Sequence, residues 1–374
     1  MNRRLDVTID AASWKPATPP PAIARLSGSR DTDIFIGLLH TALWTRPPSY
    51  YGFHLSDLWA WLRYGCAIAV TEDLRLRPEW SDIDSHQKAV LSDEMGVGLT
   101  TQLFAEELGF LVFADTSYVV NVLAPGSLSL GRQARTGPKK SPDYICIDAS
   151  LRPSILECKG TQTSHRALWD AVERGRAQKA NVTARSTARI KYAIVAGLFI
   201  PQWSSSESAR IHVSDPDPVE LDEFLREWPP ELGAASIVQI ALAKHFALLG
   251  MPRLANFLAS TPTQELRRIP ETVHDEIRRM EASTVDGNVV RTVDLPATES
   301  DERETRAEVF GLRFSVRVPQ DLLIRLGETS HLLQDIFSIT STLRERHWPR
   351  PEERRGAVLH TPLDFVLTLD WIES

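Results

Sequence analysis

Two carboxylates and an amine, Asp143, Glu157 and Lys159, bracket a short apolar stretch and carry the clearest chemistry in this chain. Tyr144-Ile145-Cys146-Ile147-Asp148 is rich in strand formers, and residues 149–154 hold a Pro and polar residues suited to a turn. Ile155-Leu156-Glu157-Cys158-Lys159 then resumes an extended pattern. The spacing predicts a hairpin. Side chains alternate along a strand, so Glu157 and Lys159 share one surface while Leu156 and Cys158 point to the other, toward a core. Hard cations such as Mg²⁺ take oxygen ligands and keep several waters. A cation held by Asp143, Glu157 and the Cys158 backbone carbonyl would activate a water and neutralise charge at a phosphoryl centre, with Lys159 orienting that water. The chemistry this predicts is phosphodiester hydrolysis. A Glu-x-Lys triplet is common by chance, and a surface hairpin carrying an ordinary ion pair is the competing reading.

Ser141-Pro142-Asp143, a strand, and then Ile155-Leu156-Glu157-Cys158-Lys159-Gly160 resembles the core of the PD-(D/E)XK nuclease superfamily, over about residues 85–215. The resemblance implies an α/β, restriction-endonuclease-like core, a mixed central sheet flanked by helices. It implies Mg²⁺ or Mn²⁺ as cofactor, DNA as substrate with RNA as the open alternative, and a further Glu from an upstream helix. Residues 85–108 fit that helix. Asp84 or Ser85 could cap it, Val90, Leu91, Met95, Leu99, Leu103 and Leu108 recur at helical spacing, and Gly109 would stop it. Glu94, Gly98 and Gln102 lie four apart on one face, and the resemblance makes Glu94 the third acid. Asp93 lies about 100° round the helix. Glu106 and Glu107 sit near its C-terminal end, where carboxylates oppose the dipole, and are expected to face solvent. Gly96 and Gly98 each cost on the order of 1 kcal/mol against Ala, which predicts close packing against the sheet or a bend. A helix beginning only at Gly98 is the alternative.

Residues 167–181 predict a helix and residues 189–200 a buried strand, the order the resemblance implies. Gln178 is similar to a Gln on the corresponding helix of some family branches, although the usual aromatic partner four residues on is here Val182. Gln178 and Lys179, and Thr161 and Gln162 just beyond Lys159, are candidate phosphate contacts. Arg132, Arg135, Lys139 and Lys140 precede the motif in a Gly/Ser-rich loop that could lie along a nucleic-acid backbone. The charge distribution agrees: the chain is −7 overall, yet residues 131–191 hold 13 Lys/Arg and 5 Asp/Glu, a local +8. Nucleic-acid affinity rests largely on phosphate neutralisation.

At 374 residues, 43% hydrophobic and 24% charged, the chain reads as a soluble protein of two or three domains. Residues 1–84 are expected to form an aromatic-rich N-terminal subdomain whose Trp44, Trp59, Trp61 and Trp80 pack rather than bind a ligand. Residues 85–215 form the nuclease core, and residues 216–374 an additional C-terminal α+β region. In that region helices are expected over 219–228, 236–259 and 322–343, and strands over 285–293 and 307–318. A net −10 over residues 192–374 argues against a large DNA-binding surface there, so partner binding or regulation is its expected role. The longest apolar run, residues 192–200, falls short of the roughly 20 residues that span a bilayer. Three scattered cysteines build no disulfide framework, and a reduced, cytoplasmic protein is expected. No paired-His metal motif or Gly-rich phosphate loop is present. By analogy the resemblance suggests a bacterial defence or restriction endonuclease, with a homodimer as one way to cut both strands, although no heptad pattern supports one. Two rivals stay open. One is an inactive nuclease-fold module that binds nucleic acid or assembles with a partner; the other is an interaction protein led by its acidic C-terminal half.

Overall fold

The hairpin lies inside a seven-stranded mixed sheet flanked by helices, so the chain is of the α/β class. The computed structural model describes residues 1–14, 18–49, 60, 63–122, 128–130, 142–179, 182–184, 186–187, 190–215, 226–227, 230–281, 284–296, 311–348 and 356–372. Across the sheet the strands run β2 (Gly28–Asp33), β1 (Asn2–Ile9), β7 (Arg210–Ser214), β6 (Ala193–Phe199), β5 (Pro153–Thr161), β4 (Tyr144–Asp148) and β3 (Phe110–Asp115). The β1/β7 and β5/β6 pairs are parallel and the other neighbours antiparallel. Helices α1 (Ile34–Trp44), α2 (Ser85–Leu108) and α3 (His165–Lys179) pack around it.

The long helix α2 has the ends its sequence calls for. The Asp84 carboxylate accepts the His86 N–H at 2.8 Å, and Gly109 closes the helix in the left-handed conformation at φ 67°. It runs unbroken through both internal glycines, each of which marks a close approach rather than a bend. A Cβ at Gly96 would lie 2.6 Å from the Lys159 carbonyl oxygen of β5, and one at Gly160 would collide with the Ser92 carbonyl of α2. A Cβ at Gly98 would collide with Thr41 and the Gly37 carbonyl, where α1 crosses. On α3, Leu168 and Val172 pack on Val195 and Phe199 of β6.

The expected boundary at residue 84 does not divide the sheet. Strand β1 sits between β2 and β7, with Leu5 and Val7 buried, so the N-terminal segment is part of the central layer rather than a subdomain beside it. Trp44 and Trp80 are buried, as expected of packing residues, while Trp59 and Trp61 lie outside the described residues. Nor does the boundary at 216 separate the C-terminal region: its first helix, α4 (Pro230–Leu249), packs on β3 and β4. By length and composition α4 could cross a membrane, but 94% of its apolar window is buried inside the protein. Its interruption by Ser236, Gln239, Lys244 and His245 is why it escapes a search for continuous apolar runs.

Beyond it come α5 (Pro252–Ser260), α6 (Glu271–Glu281), α7 (Gln320–Glu328) and α8 (Leu332–Thr342). They accompany an antiparallel sheet of order β8 (Thr284–Val285), β9 (Asn288–Pro296), β10 (Gly311–Pro319), β12 (Val366–Ile372) and β11 (Ala357–His360). The helix expected over 322–343 is two, broken near Thr329, and β11 and β12 were not expected. Most of the segment 219–228 lies outside the described residues; within it Arg226–Glu227 is a short strand.

Candidate active site

Asp143 and Glu157 face each other across the β4/β5 hairpin and are tied by two reciprocal bonds. The Asp143 backbone N–H donates to Glu157 Oε2 at 3.0 Å, and the Cys158 N–H donates to Asp143 Oδ2 at 2.8 Å. The register dictates this: Tyr144 pairs with Leu156, so the residue before β4 reaches the level of Glu157. From the end of β3, the Thr116 N–H donates to the Asp143 carbonyl at 3.1 Å and fixes where the chain enters β4. Lys159 lies two residues along β5 from Glu157 and pairs with its Oε1, as strand alternation requires. Leu156 and Cys158 turn the other way, with Cys158 Sγ 3.1 Å from Thr100 Oγ1 on α2.

One expectation needs correcting. Glu157 does not stand on an open surface: it is 0% exposed, whereas Lys159 and Asp143 are half-buried. The sheet is covered on both sides, and α3 packs so closely over the Glu157 face of the neighbouring strand that Leu168 and Val172 leave no room for a Cβ at Gly197.

The close seat of α2 on Gly160 brings Glu94 to the same place. Glu94, Asp93, Asp143, Cys158 and Lys159 line one cavity of about 400 Å³, together with Thr45, Val97, Asp115 and Tyr144. Glu94 is held by the buried Tyr64, whose hydroxyl donates to it, and that carboxylate together with burial raises the Tyr64 hydroxyl well above its ordinary range. Asp115 and Tyr64 are residues that sequence reasoning missed. Asp115 carried a faint signal, an acid closing the apolar run of β3; Tyr64 carried none.

No family model, curated protein or solved structure matches this chain.

Electrostatics mark the cavity as a place where negative charge is crowded. Burial, and then the charge of Asp143, pushes the Glu157 carboxyl up to about 8, against the pull of Lys159. Burial also raises Asp143, with Asp115 and Asp93 adding to the effect and the Cys158 N–H and Lys159 opposing it. Burial works to lower Lys159, but Glu157 and Asp143 outweigh it and hold the ammonium above its usual value. The lysine is thereby held charged, and Glu157 is pushed toward its protonated form, against which a cation would compete.

The donor set of the cavity is carboxylate oxygen, which fits a hard divalent cation, and crowded acids of this kind are relieved by one. The acids are not drawn into a cage: among the described residues, no three Asp, Glu, His or Cys side chains are grouped closely enough to hold a metal ion. Both Glu157 oxygens are engaged, one of them by Lys159.

Gln162, expected as a phosphate contact, is tied into the interior of the fold. It is 8% exposed, its Oε1 accepts from Trp80 Nε1 at 3.2 Å and from Gln202 Nε2 at 2.9 Å, and its Nε2 donates to the Lys88 carbonyl at 2.8 Å. Its amide joins three segments of the fold, with both acceptor sites of Oε1 and one Nε2 proton engaged inside the protein. Arg132, Arg135, Lys139 and Lys140 lie outside the described residues, as do the side chains of Gln178 and Lys179, whose backbone ends α3.

Proposed function

We propose that this chain is a metal-dependent nuclease with a restriction-endonuclease-like core, hydrolysing DNA phosphodiester bonds endonucleolytically. The observation that carries the reading is the meeting of Asp143, Glu94 and Lys159 around one cavity, with Glu157, outside its lining, bonded to the Asp143 N–H and to Lys159. Helix α2, the hairpin, helix α3 and the parallel strand β6 follow in the order that the resemblance implies. Asp143, Glu157 and Glu94, with the Cys158 carbonyl, would hold Mg²⁺ or Mn²⁺. Such an ion, when bound, supplies a nucleophilic hydroxide from water and neutralises charge on the phosphoryl oxygens.

The chain's own residues account for the rest. Lys159, released from Glu157 when that carboxylate turns to a cation, carries a positive charge at the cavity wall and can orient the attacking water or offset charge on the phosphate. The Cys158 N–H fixes Asp143, Tyr64 fixes Glu94, and the Asp143 N–H fixes Glu157, so each acid is held by a donor from another segment. The local +8 of residues 131–191, a property of the sequence around the motif, would favour a polyanion over a neutral ligand.

A second reading, a nuclease-fold module that binds nucleic acid without cutting it, is favoured by one observation: Glu157 is fully engaged within the protein and the acids are not caged. Plasmid incubated with the full chain and Mg²⁺ or Mn²⁺, beside Asp143→Ala and Lys159→Ala, separates the two. Nicking or linearisation by the wild type that both variants lose supports the nuclease. Intact plasmid with a mobility shift supports the binding module. Equal degradation by wild type and variants removes the basis for an enzyme.

A further inference from the structure

Lys244 lies in the middle of α4 and is 2% exposed, a costly position for an ammonium unless every proton is matched. Here each is. Its Nζ donates to the carbonyl oxygens of Trp44 at 2.7 Å and Arg46 at 2.6 Å, and pairs with Asp115 Oδ2 at 2.7 Å. One of the acceptors, Asp115, lines the acidic cavity, and the other two adjoin a residue that does. Trp44 and Arg46 flank Thr45, and Thr45, Asp115 and Tyr144 all line the cavity. Tyr144 joins the same knot: its hydroxyl donates to the Trp44 carbonyl at 2.7 Å, and its ring centre lies 5.6 Å from Lys244 Nζ. Gln239 and Ser236, also on α4, serve their own half of the chain. Gln239 donates to the Leu258 and Thr261 carbonyls, and Ser236 bonds to Leu232 and Thr263.

We propose that Lys244 is a positioning residue of the cavity, holding the Asp115 carboxylate and the Trp44–Arg46 turn in place beside Asp143, so that the site depends on a helix from the C-terminal region. Asp115 is thereby an additional carboxylate of the site, one residue before the N–H that fixes the Asp143 carbonyl. The consequence for metal binding rests on the nuclease reading above; what Lys244 holds rests on its hydrogen bonds alone. An ammonium at this point opposes the upward push that burial gives the half-buried carboxylate and holds it aimed. A neutral side chain would leave that carboxylate without a counter-charge.

The test uses the full chain as wild type, Lys244→Met and the double variant Lys244→Met/Asp115→Asn, which removes both charges and so recovers a fold lost only for want of one. Each is titrated with Mn²⁺ alone by calorimetry, and amide exchange is followed at residues 45, 46 and 116. Both variants are expected to bind Mn²⁺ roughly tenfold or more weakly, and the three amides to exchange about tenfold faster or more. A folded double variant with wild-type Mn²⁺ affinity and wild-type exchange overturns the proposal, because Lys244 would then only neutralise a buried charge. A wild type that binds no Mn²⁺ sinks the metal reading instead. The exchange rates then decide alone, faster exchange supporting the brace and unchanged exchange overturning it.

Discussion

Gly96 of α2 rests against Lys159 of β5 so closely that a methyl group on it would stand 2.6 Å from the lysine's carbonyl oxygen. That contact sets how near Glu94, two residues earlier on the helix, comes to Asp143. Gly96→Ala gains about 1 kcal/mol of helix propensity but must push helix and strand apart, and overpacking of this kind costs on the order of 1–3 kcal/mol. The variant is expected to unfold at lower urea and to cleave more slowly. A variant as stable as wild type would contradict the packing.

The raised Glu157 carboxyl gives a signed pH dependence. Its folded value of about 8 lies above the ordinary 4.5, so between those pH values the folded chain holds a proton that the unfolded chain has released. Stability therefore falls as pH rises through this window. Every tenfold difference in proton affinity between the folded and unfolded chain corresponds to about 1.4 kcal/mol. Glu157→Gln should flatten the slope, matching wild type near the acid end and exceeding it above pH 8, as read by denaturant midpoints across pH.

Under the proposed nuclease reading, cleavage carries the opposite sign. A ligand carboxylate must lose its proton to bind a cation, so Mg²⁺-dependent activity is expected to climb with pH to about 8 and then level off. Glu157→Gln should be inactive throughout. A wild-type rate that stays flat across this range would show that Glu157 is not a ligand.

Tyr64→Phe removes the hydroxyl that holds Glu94. A lost buried hydrogen bond costs about 1 kcal/mol, and loss of a partner behind a ligand weakens metal binding roughly tenfold or more. The Mg²⁺ concentration giving half-maximal cleavage is expected to rise while the thermal midpoint shifts little.

Gln162→Leu separates structure from ligand contact. Trp80, Gln202 and the Lys88 carbonyl all lose their partner at once, which should cost about 1–3 kcal/mol of stability. The DNA affinity of the folded protein is expected to stay at the wild-type value. A selective loss of affinity in a protein of unchanged stability would return Gln162 to the ligand-binding surface.

The parts of the site legible in the sequence are those governed by local rules. Strand alternation pairs Glu157 with Lys159, the Asp84 and Gly109 caps bound α2, and the turn-rich segment before Pro153 folds the hairpin. What stayed hidden is set by partners far along the chain. Gln162 follows the motif directly and looks like a ligand contact, but its burial is decided by Trp80 and Gln202. Strand β1 has no pattern that announces a central position, because its place depends on pairing with residues 210–213. Lys244 interrupts an apolar helix without any local sign of its role; that its partners are Trp44, Arg46 and Asp115 is a matter of tertiary packing.

The parallel pairing of Asp6 with Arg210 has a consequence for the order in which the molecule can be made. A ribosome releases β1 about two hundred residues before its neighbour exists, and a strand bonded on one side only offers its free edge to other chains. With β2 bonded to the opposite edge, the nascent polypeptide must keep this one covered, by another segment or by a chaperone, until the seventh strand emerges to close the gap.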